Sequence, residues 1–101
     1  MQMFILLTRL SPEALKSPYS MEDFEKRAVE HIERDCPEVK WLHSYTLLGP
    51  YDYLDIFSAP DMNAALKVSA IIRTFGRAHS EIWPATDWGN FKSIIQSLPQ
   101  R

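Results

Sequence analysis

His43, Asp55, His79 and Glu81 are the residues of this chain whose types and spacing suit acid–base chemistry. A histidine held beside a carboxylate can serve as a general base, or keep one ring tautomer for a proton transfer. Aromatic side chains surround all four at alternate positions: Trp41 and Tyr45 about His43, Tyr53 and Phe57 about Asp55, and Trp83 two residues beyond Glu81. Alternate residues of an extended strand share a face, about 6.5–7 Å apart, twice the rise per residue. The pattern predicts an aromatic-walled pocket for a small, partly apolar molecule. Its walls would be Trp41, Tyr45, Tyr53, Phe57 and Trp83, with His43, Asp55, His79 and Glu81 as the orienting groups. Catalysis in the same pocket, as a cofactor-free oxygenase or isomerase, is the competing expectation. A third is structural: the same side chains pairing with water or across an interface between subunits.

Other chemistries have less to work with. His43 with His79-x-Glu81 is the nearest approach to a metal set, but no usual ligand spacing accompanies it, and no metal is expected. Gly49, Gly76 and Gly89 lie too far apart in the chain to cradle a phosphate, so no nucleotide cofactor is expected either. Cys36 sits beside Pro37 at a predicted helix C-terminus, away from the basic or helix N-terminal surroundings that make a thiolate reactive; it reads as a small buried hydrophobe. His31, between Glu30 and Glu33, reads as a solvated helix residue.

The elements that must position these residues follow from periodicity. Met3 to Thr8 is a nearly continuous apolar stretch, which predicts a buried strand. Ser11-Pro12-Glu13 starts a turn that Ser17-Pro18 breaks. Ser20 can then cap a helix whose Phe24, Ala28, Ile32 and Cys36 recur at steps of four, and Pro37 stops it. Val39 to Leu48 predicts a second strand, with Trp41, His43, Tyr45 and Leu47 on one face. Gly49-Pro50-Tyr51-Asp52 is turn chemistry, with a positive φ expected at Gly49, and Tyr53 to Ser58 is the next strand. A loop of odd length places Asp55 opposite Tyr45. An even one places it opposite Ser44, on the other face from His43. Asp61 caps a helix with a stripe of Met62, Ala65, Leu66, Ser69 and Ile72, and Gly76 is its expected left-handed stop. His79 to Trp83 is a fourth strand closed by Pro84, and Asp87 caps a last helix carrying Trp88, Phe91, Ile94, Ile95 and Leu98.

The order β-α-β-β-α-β plus a helix predicts an α+β chain in one domain, 1–101. It is a ferredoxin-like split β-α-β sandwich with a four-stranded antiparallel sheet and both main helices on one face. Leu54, Ile56 and Ile82 are expected to meet the helices, leaving Trp41, Tyr45, Leu47, Tyr53, Phe57 and Trp83 on the open face. An aromatic face of that size left in water is unfavourable, so a twofold homodimer with sheets face to face is expected, unless the last helix caps it.

Gly49-Pro50-Tyr51-Asp52, the strand after it, Ala59-Pro60-Asp61 and the pair Ala64-Ala65 resemble the GYD-domain family, named for its Gly-x-Tyr-Asp turn. The resemblance runs from about Met3 to Gly76 and is most specific over Gly49 to Asp61. The chain departs from the family's pattern in its longer segment around Ser11 to Ser20, and in Cys36-Pro37-Glu38 where relatives place glycines. The family is similar in fold to the dimeric α+β barrel proteins, which include cofactor-free monooxygenases, small isomerases and ligand-sensing regulators. The resemblance thus implies a dimeric barrel and no single activity. The turn itself reads without catalysis: Asp52 accepts nearby backbone N–H groups and Tyr51 braces the hairpin end.

Charge and composition exclude more than they assign. Eleven basic and thirteen acidic residues, net −2, are mixed along the chain. That argues against a phosphate-backbone binder, and the Arg/Lys-Gly-aromatic signature of sheet-face RNA binders is missing, so no nucleic acid is expected. There is no polybasic arm, and Met3–Leu7 is too short for a signal peptide core or a membrane span. A lone cysteine rules out a disulfide within the chain and favours the cytoplasm.

Overall fold

A computed structural model describes residues 1–99. The elements run β1 (Gln2–Leu10), a short 3-10 turn (Ala14–Lys16), α1 (Pro18–Asp35), β2 (Lys40–Thr46), β3 (Tyr53–Ala59), α2 (Met62–Thr74), β4 (Ala78–Ala85) and α3 (Trp88–Gln96). The sheet is antiparallel throughout, in the order β2-β3-β1-β4, as the interleaved β-α-β reading requires. Among the described residues no helix is long and apolar enough to cross a membrane.

The helix starts follow local chemistry. α1 begins earlier than Ser20: the Ser17 hydroxyl accepts the Ser20 N–H at 3.1 Å, and Pro18 takes the first-turn position where its missing N–H costs nothing. Asp61 caps α2 through the Ala64 N–H at 2.9 Å, and Asp87 caps α3 through Asn90 at 3.2 Å. The core lies between the helices and one sheet face. Phe4 and Leu6 of β1 and Phe57 and Ala59 of β3 meet Ala64, Ala65, Val68 and Ile71 of α2, and Ile32 and Cys36 at the end of α1. α2 therefore buries Ala64, Val68 and Ile71 with Ala65, and leaves Met62 and Leu66 exposed, a rotation from the expected stripe.

Register settles the two faces and reverses part of the expectation. Asp55 pairs with Ser44 and Leu6, Tyr53 with Thr46 and Thr8, and Phe57 with Trp41 and Phe4. These rows share the face of buried Phe4, Leu6 and Thr8, so Tyr53, Asp55 and Phe57 look toward the helices. Leu54 and Ile56 take the open face instead, with Ile5 beside Ile56 and Trp83 beside Ile5. Ile82 packs against the core as expected. A register shift between Trp41 and His43 breaks the simple alternation of β2. One extra residue there puts Trp41 with Ser44 and Thr46, and His43 with Tyr45 on the other side.

Two glycine expectations fail as well. No described glycine has a positive φ; the left-handed residue after α2 is Arg77, at φ 51°. Among the described residues α3 buries none of its own side chains. Trp88, Phe91, Ile94, Ile95 and Leu98 are all exposed, and the Cα radius of gyration, 15.9 Å, exceeds the ~13 Å usual for a compact 100-residue domain.

Candidate functional site

The sheet is only half covered by its helices. α2 lies close against β4 and β3, whereas α1 touches α2 and the short helical turn and stands off β2 and β3. The space left is an open cleft of about 1040 Å³. Its α1 wall includes Phe24, Ala28 and Ile32, its closed end is at Gly76 and Ala78, and its floor holds Trp41, Ser44, Tyr53 and Asp55. The floor is the consequence of register: Tyr53 and Asp55 alternate on β3, and each brings a hydroxylic neighbour from β2 and its own β1 partner.

Asp55 is the polar centre of this cleft. The Trp41 indole Nε1–H donates to Ser44 Oγ at 2.8 Å and to Asp55 Oδ1 at 3.3 Å. Removal from water pushes the Asp55 carboxyl above the ordinary aspartate range, and the Ser44 and Trp41 hydrogen bonds pull against that rise. Burial likewise raises the Tyr53 phenol, with neighbouring carboxylates adding to it. Trp41 is itself fixed, stacked 5.4 Å from Phe57, which stacks 5.5 Å from Phe4. A ladder of three rings thus ties the cleft floor to the core.

The expected constellation is split by the sheet. Trp41, Tyr53 and Asp55 line the cleft, and Tyr45 borders it from the edge strand; Phe57 is wholly buried core. His43 is exposed on the open face, stacked on Tyr45 at a centroid distance of 6.1 Å. It faces away from Asp55. His79 and Glu81 lie on β4, three strand spacings or about 14 Å from β2, so His43 cannot share a proton with them. His43 is thereby removed as an acid–base partner of the other three. Among the described residues no group of three or more His, Cys, Asp and Glu is placed to hold a metal.

His79 and Glu81 belong to a second network, built by the hairpin turn. The Asp52 backbone N–H donates to Thr8 O at 2.8 Å, and its side chain accepts the Leu10 N–H at 2.8 Å, which pins the turn to the end of β1. Tyr51 then reaches across Arg9, whose guanidinium lies 5.8 Å from its ring, and donates to Glu81. Glu81 also accepts from Trp83 Nε1 at 3.3 Å and lies 3.8 Å from His79 Nε2. The turn motif is a brace, as its chemistry implied. The Tyr51 bond, with help from Trp83, holds the Glu81 carboxyl below its ordinary range. The folded form is therefore favoured above the unfolded carboxyl's pKa, and that contribution is lost as pH falls through the folded one. Tyr51→Phe should lower the melting temperature at neutral pH and converge on the parent in acid. Parallel melting curves at every pH would refute this.

Neither remaining titratable candidate is free for chemistry. Cys36 is 1% exposed and burial raises its thiol. His31 is not merely solvated: it stacks on Phe75 at 3.5 Å, and its Nδ1 lies 2.6 Å from an Arg34 nitrogen. What sequence reasoning missed is the α1 wall. The Phe24, Ala28, Ile32 stripe was legible as one helical face, but these residues were not among the expected pocket walls.

Comparison with known proteins agrees with this architecture. The GYD domain model matches residues 4–95. No curated protein sequence matches significantly. Among solved structures, the leucine response regulatory protein LrpA of Mycobacterium tuberculosis superposes with a TM-score of 0.58 at 19% identity, covering 85% of this chain and 51% of that one. The chain thus spans about half the length of that regulator, and at this identity the likeness is one of fold.

Proposed function

The chain belongs to the GYD domain family, and we propose that it is a cytoplasmic homodimer that binds a small, partly apolar molecule in the cleft between α1 and the β2–β3 half of the sheet. The observation that carries the binding reading is Asp55: a carboxyl drawn out of water on the floor of an otherwise mainly apolar cleft, held by Trp41 and Ser44. An ionisable group half-buried among apolar side chains costs stability unless something compensates, which makes such a position a candidate site. The volume suits a drug-sized molecule. Turnover there, as a cofactor-free isomerase or oxygenase, is a second reading favoured by one fact: an aspartate whose pKa lies above its ordinary range is better matched to proton abstraction than an ordinary one.

Nile red, a neutral apolar dye, tests the first reading. Thr46 lines the cleft and lies outside the buried core, so Thr46→Trp fills the cleft while sparing the core. The dye should bind the parent saturably and the variant about tenfold more weakly, a difference of about 1.4 kcal/mol. Equal binding by both would put any apolar site elsewhere.

Support for the dimer comes from two apolar surfaces the chain does not cover. Tyr45 and Trp83 on the open face are 53% and 50% exposed, with Ile5, Leu54 and Ile56 between them. Four strands about 4.8 Å apart and some seven residues long present only about 440 Å², short of the ~800 Å² per partner of a stable interface. The α3 stripe makes up the difference. A nine-residue helix has little stability in water by itself, and all its large apolar residues lie on one side. A second copy offers both surfaces what they lack.

A further inference from the structure

The charges around the cleft are one-sided. Glu22, Glu25 and Glu33 line it from α1 and Asp55 from β3, while no lysine, arginine or histidine is among its lining residues. An anionic ligand would have to desolvate against four carboxylates without a counterion. A cationic one meets Asp55 and the aromatic rings of Trp41 and Tyr53 on the floor, the combination that attracts an ammonium group, while the Phe24 ring on the α1 wall already carries the Arg27 guanidinium at 5.5 Å. The remaining lining, with Ala28, Val29, Ile32 and Ile72, suits an apolar body.

We propose that the cleft takes an amphiphilic organic cation, an apolar body carrying an ammonium group, with Asp55 as its counterion and Glu22, Glu25 and Glu33 disfavouring anions at its mouth. This rests on the cleft being a binding site. The two groups of carboxylates act differently. The glutamates are on the exposed side of α1 or at its margin, so salt screens them. Asp55 is half-buried and accepts from Trp41, so salt screens its attraction for an ammonium less than it screens the glutamates.

Decylamine, decanol and decanoate share one apolar chain and differ in head-group charge, so calorimetric titration with the three separates the two claims. Decylamine is expected to bind at least tenfold more tightly than decanol, and decanoate more weakly than either. Asp55→Asn, which keeps the size of the side chain and an acceptor for Trp41, should remove most of the decylamine advantage. Decanol binding should change far less than decylamine binding, and that retained affinity reports that the variant's cleft is intact. Decanol binding with no preference for the amine, or with decanoate tightest, overturns the cation assignment and leaves the cleft standing. An amine preference that survives both Asp55→Asn and high salt overturns the role of Asp55. Failure of all three probes overturns the cleft reading itself.

Discussion

Ile56→Lys should convert the protein from a dimer to a monomer. Ile56 is on the open face, paired with Ile5 of β1 and His43 of β2, near the middle of the surface that a second sheet would cover. A lysine there is tolerated in a monomer, because its ammonium reaches water. In a twofold interface the same lysine comes close to its own copy inside an apolar layer, where an unpaired charge costs several kcal/mol. Association should weaken by three orders of magnitude or more in affinity, roughly 4 kcal/mol. Sedimentation at micromolar concentration is expected to give twice 11.7 kDa for the parent and 11.7 kDa for the variant. A chain ended after Thr86 should fall between them, since it keeps the sheet face and loses the α3 stripe. A monomeric parent would refute the dimer outright. If the truncated chain alone is monomeric and Ile56→Lys remains dimeric, the contact runs through α3 and the sheet face is free.

The topology behind that prediction was legible because each element carried its own period and its own stops. Asp61 and Asp87 cap where expected, Pro37 ends α1, and the order of elements permits few sheets. Ser17 was hidden by reading Ser-Pro as a break, when a proline after a capping serine is also a helix start. The site was less legible for a sharper reason. Alternation assigns residues to two faces but does not say which face the helices cover, and a single inserted residue exchanges them. In β2 that insertion lies between Trp41 and His43, and neither glycine nor proline marks it. Asp55 moved to the cleft with the six-residue loop between Thr46 and Tyr53, the even case. Composition of the open face survived the exchange, because Leu54 and Ile56 replace Tyr53 and Phe57 there. The argument for a partner therefore outlives the error, while the argument for a His43–Asp55 pair does not.

Gly76 carries the other large effect, for a reason its place after a helix does not disclose. A left-handed stop would make any β-branched replacement strained, but the φ of Gly76 is not positive, so that cost is absent. What the position lacks is room. A Cβ there would lie 2.7 Å from the Ile72 carbonyl oxygen and 3.5 Å from the Ala28 Cβ of α1. The first contact is with backbone, held in the last turn of α2, and cannot rotate away. Gly76→Val must therefore shift the α2–β4 junction against α1, at the closed end of the cleft, at a cost of about 2–3 kcal/mol. Arg77 is the residue that bears the left-handed strain, at φ 51°, and its ion pair with Glu13, at 3.6 Å, is exposed and weak. Arg77→Gly should relieve that strain and stabilise by about 0.5–1 kcal/mol. Urea denaturation distinguishes the two: the midpoint should fall for Gly76→Val and rise for Arg77→Gly, with the slope unchanged in both. The reverse pattern, a neutral Gly76→Val beside a destabilised Arg77→Gly, would mean that the left-handed turn sits one residue earlier and that α1 and α2 do not approach at Gly76.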